Sequence, residues 1–332
     1  MKKRVVFRIV GNKQVGMGHI YRALTLAREF SDHDVLFVTD TNNRIAAESM
    51  LKQHYWLGVY RESEITKQIG TLEPEIVIYD ALDTNREDVE ELRRLGIVVV
   101  SFEDLGEGAR KTDLTINELY DEPQFESDHI LWGHRNFFLR DEFQTAQPHR
   151  FKKRVDCIML AFGGTDQHDL SRIIFRAIGS FCREQGIYIH IVTGPGYEGY
   201  ERLSVEVAAE KGVSLTHASG VISGIMEQAQ LAITSNGRTV YEFAHMNIPS
   251  IVIAQHDREI THAFAAEENG FVSLGLYKFG ETAALVLSAL ERLVGDIEFR
   301  QELFRRMARF KFDGNKKRIV KKILRLLDST DG

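Results

Sequence analysis

Gly16-Met17-Gly18-His19 stands between an apolar run, Val5 to Val10, and a stretch with helical periodicity. Glycine in such a turn permits positive φ and lets a ligand approach the backbone. The helix start that follows offers unpaired N–H groups and a partial positive charge to an anion. An imidazole there is disfavoured in its charged form, which makes His19 a neutral base suited to activating water. A helix-capping or packing histidine is the other reading that position alone leaves open. Arg22, three residues on, shares that helix edge and either binds a phosphate or is solvated.

Two familiar phosphate motifs fail on spacing. A dinucleotide fingerprint needs a third small residue where Tyr21 stands, and a Walker A loop needs Lys-Ser/Thr after its second glycine, where Met17 follows Gly16. Two more glycine turns follow apolar runs farther on. Gly163-Gly164-Thr165-Asp166 precedes a helix expected to begin near Asp169 or Leu170 and forms a second anion-sized backbone pocket. Asp166, His168 and Asp169 read as capping groups of that turn rather than metal ligands. Ser235-Asn236-Gly237-Arg238-Thr239 opens a helix carrying Glu242, with N–H groups for a diphosphate and a carboxylate at a reach suited to a ribose diol. An Arg238–Glu242 ion pair is the bland alternative.

The elements that must hold these turns form an α/β pattern, Val/Ile-rich runs alternating with helix-period segments, as in a parallel sheet covered by helices. Expected strands are Val5 to Val10, Val35 to Thr39, Ile76 to Tyr79 and Ile97 to Phe102, then Asp156 to Phe162, Tyr188 to Thr193, Leu231 to Thr234 and Ser250 to Ala254. Ile20, Ala23, Leu24 and Ala27 give residues 19–30 one buried helix face. The polar, Pro-containing and basic stretch 141–154 reads as a domain linker. The tail from Asn315 to Asp328 puts Val320, Ile323, Leu324 and Leu327 on one stripe among basic residues, a capping helix with a solvated face rather than a membrane-surface helix.

With 332 residues, 43% apolar and 27% charged, the chain is long enough for two globular domains. A net charge of −6 supplies no global positive field for a nucleic-acid backbone. Two cysteines, Cys157 and Cys182, are too few for a zinc cluster or a disulfide framework, so a reducing cytoplasm is expected. The apolar stretch after Met1-Lys2-Lys3-Arg4 is cut by Arg8 and ends at Gly11, too short for a signal sequence, and no window reaches the length of a membrane span.

Val15-Gly16-Met17-Gly18-His19-Ile20-Tyr21-Arg22-Ala23-Leu24 resembles the Gly-x-Gly-His-x-x-Arg signature of the PseG nucleotide-sugar hydrolases and the SpsG-like spore-coat polysaccharide proteins. Phe102-Glu103-Asp104-Leu105 through Asp113-Leu114-Thr115-Ile116-Asn117 is similar to their next block. Phe162 to Asp166 resembles their Phe-Gly-Gly-Ser-Asp turn, and Ser235 to Glu242 their Gly-Gly-Ser-Thr-x-x-Glu segment.

The resemblance implies a MurG-like GT-B architecture, two Rossmann-like domains facing a cleft. The expected divisions are 1–145 for the sugar or acceptor side and the base, 146–312 for the nucleotide, and 313–332 for a helix crossing back to the first domain. It implies hydrolysis of a UDP-linked 2,4-diacetamido-2,4,6-trideoxy sugar on the way to pseudaminic acid or a surface polysaccharide, without metal or cofactor. His19 is then the base, and Gly16, Gly18, Arg22 and Asp80 meet the sugar. Gly163, Gly164, Thr165, Ser235, Asn236, Gly237, Arg238 and Thr239 hold the diphosphate, and Glu242 the ribose.

This chain has Asp80-Ala81-Leu82-Asp83 where those hydrolases carry an aspartate followed closely by a tyrosine, so a substrate-positioning hydroxyl is missing. It has Gln255-His256-Asp257-Arg258-Glu259 where they show Glu-Asn-Gln. Two alternatives stand beside hydrolysis. One is a glycosyltransferase whose base activates an acceptor hydroxyl, and the other a non-catalytic nucleotide-sugar-binding partner of a cytidylyltransferase or synthase of the same pathway.

Overall fold

The computed structural model describes residues 2–12, 16–44, 47–48 and 55–329. Val15 of the first motif lies outside the described residues. The chain divides into two compact units, residues 1–140 with 313–332, and residues 141–312.

In the first unit seven strands form one parallel sheet: β1 Arg4–Ile9, β2 Asp34–Asp40, β3 Trp56–Tyr60, β4 Ile76–Asp80, β5 Val98–Phe102, β6 Leu114–Asn117 and β7 Ile130–Trp132. Their order is β3-β2-β1-β4-β5-β6-β7. Because side chains alternate across a strand, the apolar run of β1 feeds both faces of the sheet. Val5, Phe7 and Ile9 pack with Ile20, Ala23, Leu24 and Ala27 of α1 (Gly18–Ala27). Val6 packs with Val38, Val77 and Val99 against Ile65, Ile69, Val89 and Leu92.

The first of these clusters also takes Ile319, Val320, Ile323 and Leu327 from the helix Asn315–Asp328. Burying each such side chain is worth roughly 1.5–3 kcal/mol, which makes this helix an integral part of the unit. Its stripe is turned slightly from the expected one, with Ile319 buried and Leu324 only partly so. Lys317, Lys321, Lys322 and Arg325 face solvent, and Lys3 Nζ donates to Leu327 O at 2.6 Å near the helix end.

The second unit has a six-stranded parallel sheet: β8 Cys157–Ala161, β9 Tyr188–Thr193, β10 Val213–His217, β11 Leu231–Ser235, β12 Ser250–Ala254 and β13 Phe271–Leu276. The order is β10-β9-β8-β11-β12-β13. Ile158, Leu160, Ile189, Ile191, Ile233, Ile251 and Ile253 meet Leu170, Ile174 and Ile178 of the α2 helix (Leu170–Gln185) in one core. In each sheet the chain order reverses once, at β1/β4 and at β8/β11. The carboxyl ends beside such a reversal form the ligand crevice of open α/β sheets.

The division between the units falls at 140/141, where the expected linker 141–154 begins, and that stretch belongs to the second unit. Phe143 is buried, and the Glu142 carboxylate accepts from the N–H groups of Ile222 at 2.7 Å and Ser223 at 2.8 Å. The Arg300 guanidinium donates to Lys153 O. Polar composition concealed side chains whose partners are distant in sequence. Among the described residues no helix is long and apolar enough to cross a membrane.

Candidate functional site

In the first unit the β1/β4 reversal carries the expected base. Gly16 has φ +78°, a conformation that favours glycine, and its N–H donates to Asn12 O at 2.9 Å. The helix α1 begins with Gly18, with no side-chain cap and no acid in its first turn.

His19 is only 4% exposed, but it is set among charged groups, not hydrocarbon. Its Nδ1 lies 2.6 Å from Oδ1 of Asp80, the last residue of β4. The Arg22 guanidinium holds the same carboxylate, Nε to Oδ2 at 2.8 Å and Nη2 to Oδ1. Burial alone raises the Asp80 carboxyl, but the charge and hydrogen bonds of Arg22 and the bond to His19 bring it down to about 2. An ionised carboxylate only accepts, so Nδ1 carries a proton, and the lone pair of the neutral imidazole is then on Nε2. The approach of Arg22 Nη2 to His19 Nδ1, at 3.0 Å, is then a contact and not a donated bond.

Arg22 departs from the expectation of a phosphate or sugar ligand. It is fully buried, with Nη1 on Glu118 and, at 3.3 Å, on Glu103, whose Oε2 is also 3.4 Å from Nη2. The five N–H donors of the guanidinium are thereby directed at three carboxylates. These carboxylates outweigh the cost of burial and raise the Arg22 pKa. Its charge therefore holds up the site from below.

The block Phe102–Leu105 and Asp113–Asn117 builds this cluster. Glu103 follows β5 with φ +54°, and Glu118 follows β6. Asp104 N donates to Asn117 Oδ1 and Asn117 Nδ2 to Asp104 O, both at 2.8 Å. The Asp104 carboxylate is turned onto Thr84 and Gly106.

In the second unit the Gly163-Gly164 and Ser235-Asn236-Gly237 turns lie at the β8/β11 reversal. A Cβ placed on Gly163 stands 3.8 Å from Ser235 Oγ, so the two turns adjoin. Asp166 is the cap of α2, its Oδ1 and Oδ2 accepting from Leu170 N and Ser171 N at 2.8 Å each. Those N–H groups are occupied by protein. Burial pushes the Asp166 carboxyl up to about 6 against these two bonds. His168 Nε2 reaches Gln255 O at 2.9 Å, and Asp169 pairs with Tyr197 and Arg172. The three polar residues of this turn thus serve separate tasks. Glu242 is buried on the short α3 helix (Thr239–His245) with Arg238 at its start.

Three parts of this site escaped sequence reasoning. Gly194, after β9, lies so close to the second turn that its Cβ would stand 2.4 Å from Gly164 Cα, and Gly196 N donates to Gly164 O at 2.9 Å. Gly194-Pro195-Gly196 was the available signal. Gln255 Nε2 donates to Phe162 O at 3.1 Å, and Glu259 Oε2 accepts from Gln255 N at 2.7 Å. Asn236 Nδ2 donates to Glu259 O at 2.7 Å and His262 O at 3.0 Å. The 255–262 segment therefore braces both turns, and Asn236 spends its amide N–H groups on it.

No protein-family model matches the chain. It is 23% identical over 266 residues to an uncharacterized protein of Methanocaldococcus jannaschii, covering 74% of this chain and 54% of that protein; the chain spans about half the length of that relative. It is 22% identical over 281 residues to the spore coat polysaccharide biosynthesis protein SpsG of Bacillus subtilis, covering 80% and 82%. MurG of Acinetobacter baumannii superposes with a TM-score of 0.69 at 13% identity, over 97% of this chain and 99% of that one. S. aureus MnaA, solved with UDP, gives 0.60 at 14% over 99% and 97%. Anabaena HepE, solved with UDP and glucose, gives 0.57 at 12% over 97% and 100%. The chain is a distant homologue of SpsG, and its two parallel-sheet Rossmann-like domains are those of the GT-B fold.

Proposed function

We propose that this protein is an enzyme that hydrolyses a nucleotide-activated amino-deoxy sugar, UDP-linked in the first instance, for a surface-polysaccharide or nonulosonic acid route. The observation that carries the reading is the buried His19–Asp80 pair at the carboxyl-end reversal of the first sheet. Asp80 fixes the Nδ1–H tautomer, and Nε2 takes the proton of water as its oxygen bonds to the anomeric carbon. The bond from that carbon to the diphosphate breaks, and the nucleoside diphosphate leaves with the electron pair. A positioned base contributes on the order of 10²- to 10⁴-fold.

The turns at Gly163–Thr165 and Ser235–Thr239 hold the diphosphate through backbone N–H groups, which stabilise the charge developing on the leaving group. Glu242 holds the ribose. Gly16 and Gly18 give the sugar close access to the backbone beside His19, and Asp80 acts through the imidazole.

Transfer to an acceptor hydroxyl is the second reading, favoured by the likeness to MurG. The test is incubation of the purified chain with UDP-, GDP- and CMP-sugars, with nucleotide release followed in the absence and presence of candidate acceptors. Release without acceptor supports hydrolysis; release only with acceptor supports transfer; neither removes both.

A further inference from the structure

The Gly163–Asp169 turn holds a backbone conformation uncommon for two of its residues. Gly163, Asp166 and Asp169 have φ of +80°, +42° and +57°, and residues with side chains seldom adopt the left-handed region. Such conformations persist where the surroundings enforce them. Part of the enforcement is local: the Asp166 carboxylate caps α2, and Asp169 N donates to Asp166 O at 3.1 Å. Those bonds tie the turn to its own helix.

The loop after β9 ties it to a second element. At one end of the turn Gly196 N donates to Gly164 O at 2.9 Å. At the other end the hydroxyl of the next residue, Tyr197, donates to Asp169 Oδ1. Tyr197 is buried, and its N–H donates to Gly194 O at 3.1 Å, which folds the loop back on itself. Burial, and after it the Asp169 carboxylate, raise the Tyr197 pKa, so the hydroxyl keeps its proton and stays the donor. The second Asp169 oxygen, Oδ2, faces Arg172 Nη1 at 3.3 Å, and Arg172 Nε donates to Glu206 Oε1 at 2.6 Å on the helix Tyr200–Ala208. The glycine at 199 leaves space for the arrangement, since a Cβ there would stand 2.8 Å from Asp169 Oδ1 and closer still to the Tyr197 hydroxyl. Two adjacent residues of one loop thus strap the turn at Gly164 and at Asp169.

We propose that Tyr197, acting through Asp169, is a positioning residue for the diphosphate of the nucleotide: it holds the Gly163–Thr165 backbone in its binding conformation. As a statement about ligands this rests on the reading that this turn holds the diphosphate. Backbone fixed beforehand has less conformational freedom to lose when a ligand arrives. Release of the strap therefore acts on the diphosphate and leaves recognition of the nucleoside untouched.

The test uses the full chain and two readouts. Amide hydrogen exchange without ligand follows the 163–169 segment, and titrations compare UDP with uridine, which lacks the diphosphate. Tyr197→Phe keeps the ring and removes the hydroxyl. It is expected to speed exchange of the segment while β8 and β11 exchange as in the parent. It is also expected to weaken UDP about tenfold, the order of one lost hydrogen bond to a charged group, with uridine affinity unchanged. Asp169→Asn keeps an accepting oxygen and suits a left-handed position, so it falls between the parent and Tyr197→Phe and carries the test should Tyr197→Phe not fold. Unchanged exchange, unchanged UDP affinity, or equal losses for UDP and uridine overturns the proposal. A parent chain that binds UDP no more tightly than uridine would refute the diphosphate reading of the turn, and exchange would still decide whether Tyr197 straps it.

Discussion

Arg22 and Asp80, 58 residues apart, meet fork to fork: Nε donates to Oδ2 at 2.8 Å and Nη2 to Oδ1. This pairing decides what removal of either partner does, because a buried ion left alone is far more costly than the pair is favourable.

Arg22→Ala takes from the buried Asp80 carboxylate its bidentate cation and is expected to lower stability by roughly 3–5 kcal/mol. Urea denaturation measures it. A phosphate-binding Arg22 would instead give near-parental stability with weakened nucleotide affinity.

His19→Ala is expected to reduce the turnover of nucleotide release about 10²-fold or more while leaving nucleotide affinity close to parental. Asp80→Asn is expected to reduce it similarly, because an amide cannot enforce the tautomer. Glu242→Gln is expected to act on the other quantity, weakening nucleotide binding roughly tenfold or more through loss of a charge-assisted hydrogen bond. Calorimetry with UDP separates the two effects.

The two shifted carboxylates give opposite pH signatures. Asp80 lies below its ordinary value of 3.8, at about 2, so its contribution is complete above 3.8 and is lost as pH falls through 2; the difference corresponds to about 2 kcal/mol. Asp166 lies above 3.8, at about 6. The folded state therefore binds the proton more tightly, and this contribution is present below 3.8 and declines as pH rises to 6. In Asp166→Asn the stability of the second unit should lose that decline between pH 4 and 6. It should also fall by about 1 kcal/mol at neutral pH for the weakened cap. Parallel denaturation of parent and variant from pH 3 to 8 reads the difference.

Gly194→Ala places a methyl group 2.4 Å from Gly164 Cα, against backbone that cannot swing aside. The expected cost is about 1–3 kcal/mol, with weakened UDP binding as the Gly163–Thr165 turn is displaced. Unchanged UDP affinity would detach that turn from the nucleotide.

Both sheets were legible because the inner strands are buried on both faces and read as near-continuous Val/Ile runs. The five missed strands have other compositions. β3 is an edge strand with exposed Trp56 and Val59, β10 and β13 are the two edge strands of the second sheet and only partly buried, β7 has three residues, and β6 is buried yet carries Thr115 and Asn117. His19 was legible from its place after a glycine turn. Its dependence on Asp80, 61 residues away, has no periodic signature. Asp166 was legible as a capping group of its turn, but the reach of its carboxylate was not. A usual N-cap side chain reaches two or three residues ahead, whereas Asp166 reaches four and five, across a turn in which both it and Asp169 have positive φ.

The placement of the helix Asn315–Asp328 in the first unit bears on how the chain is made. Residues 141–312 are contiguous and can collapse as soon as they leave the ribosome. The first unit has been synthesised earlier yet lacks Ile319, Val320, Ile323 and Leu327 from its interior. Its hydrocarbon stays partly uncovered until translation passes Leu327, so the half that emerges first is the half that finishes last.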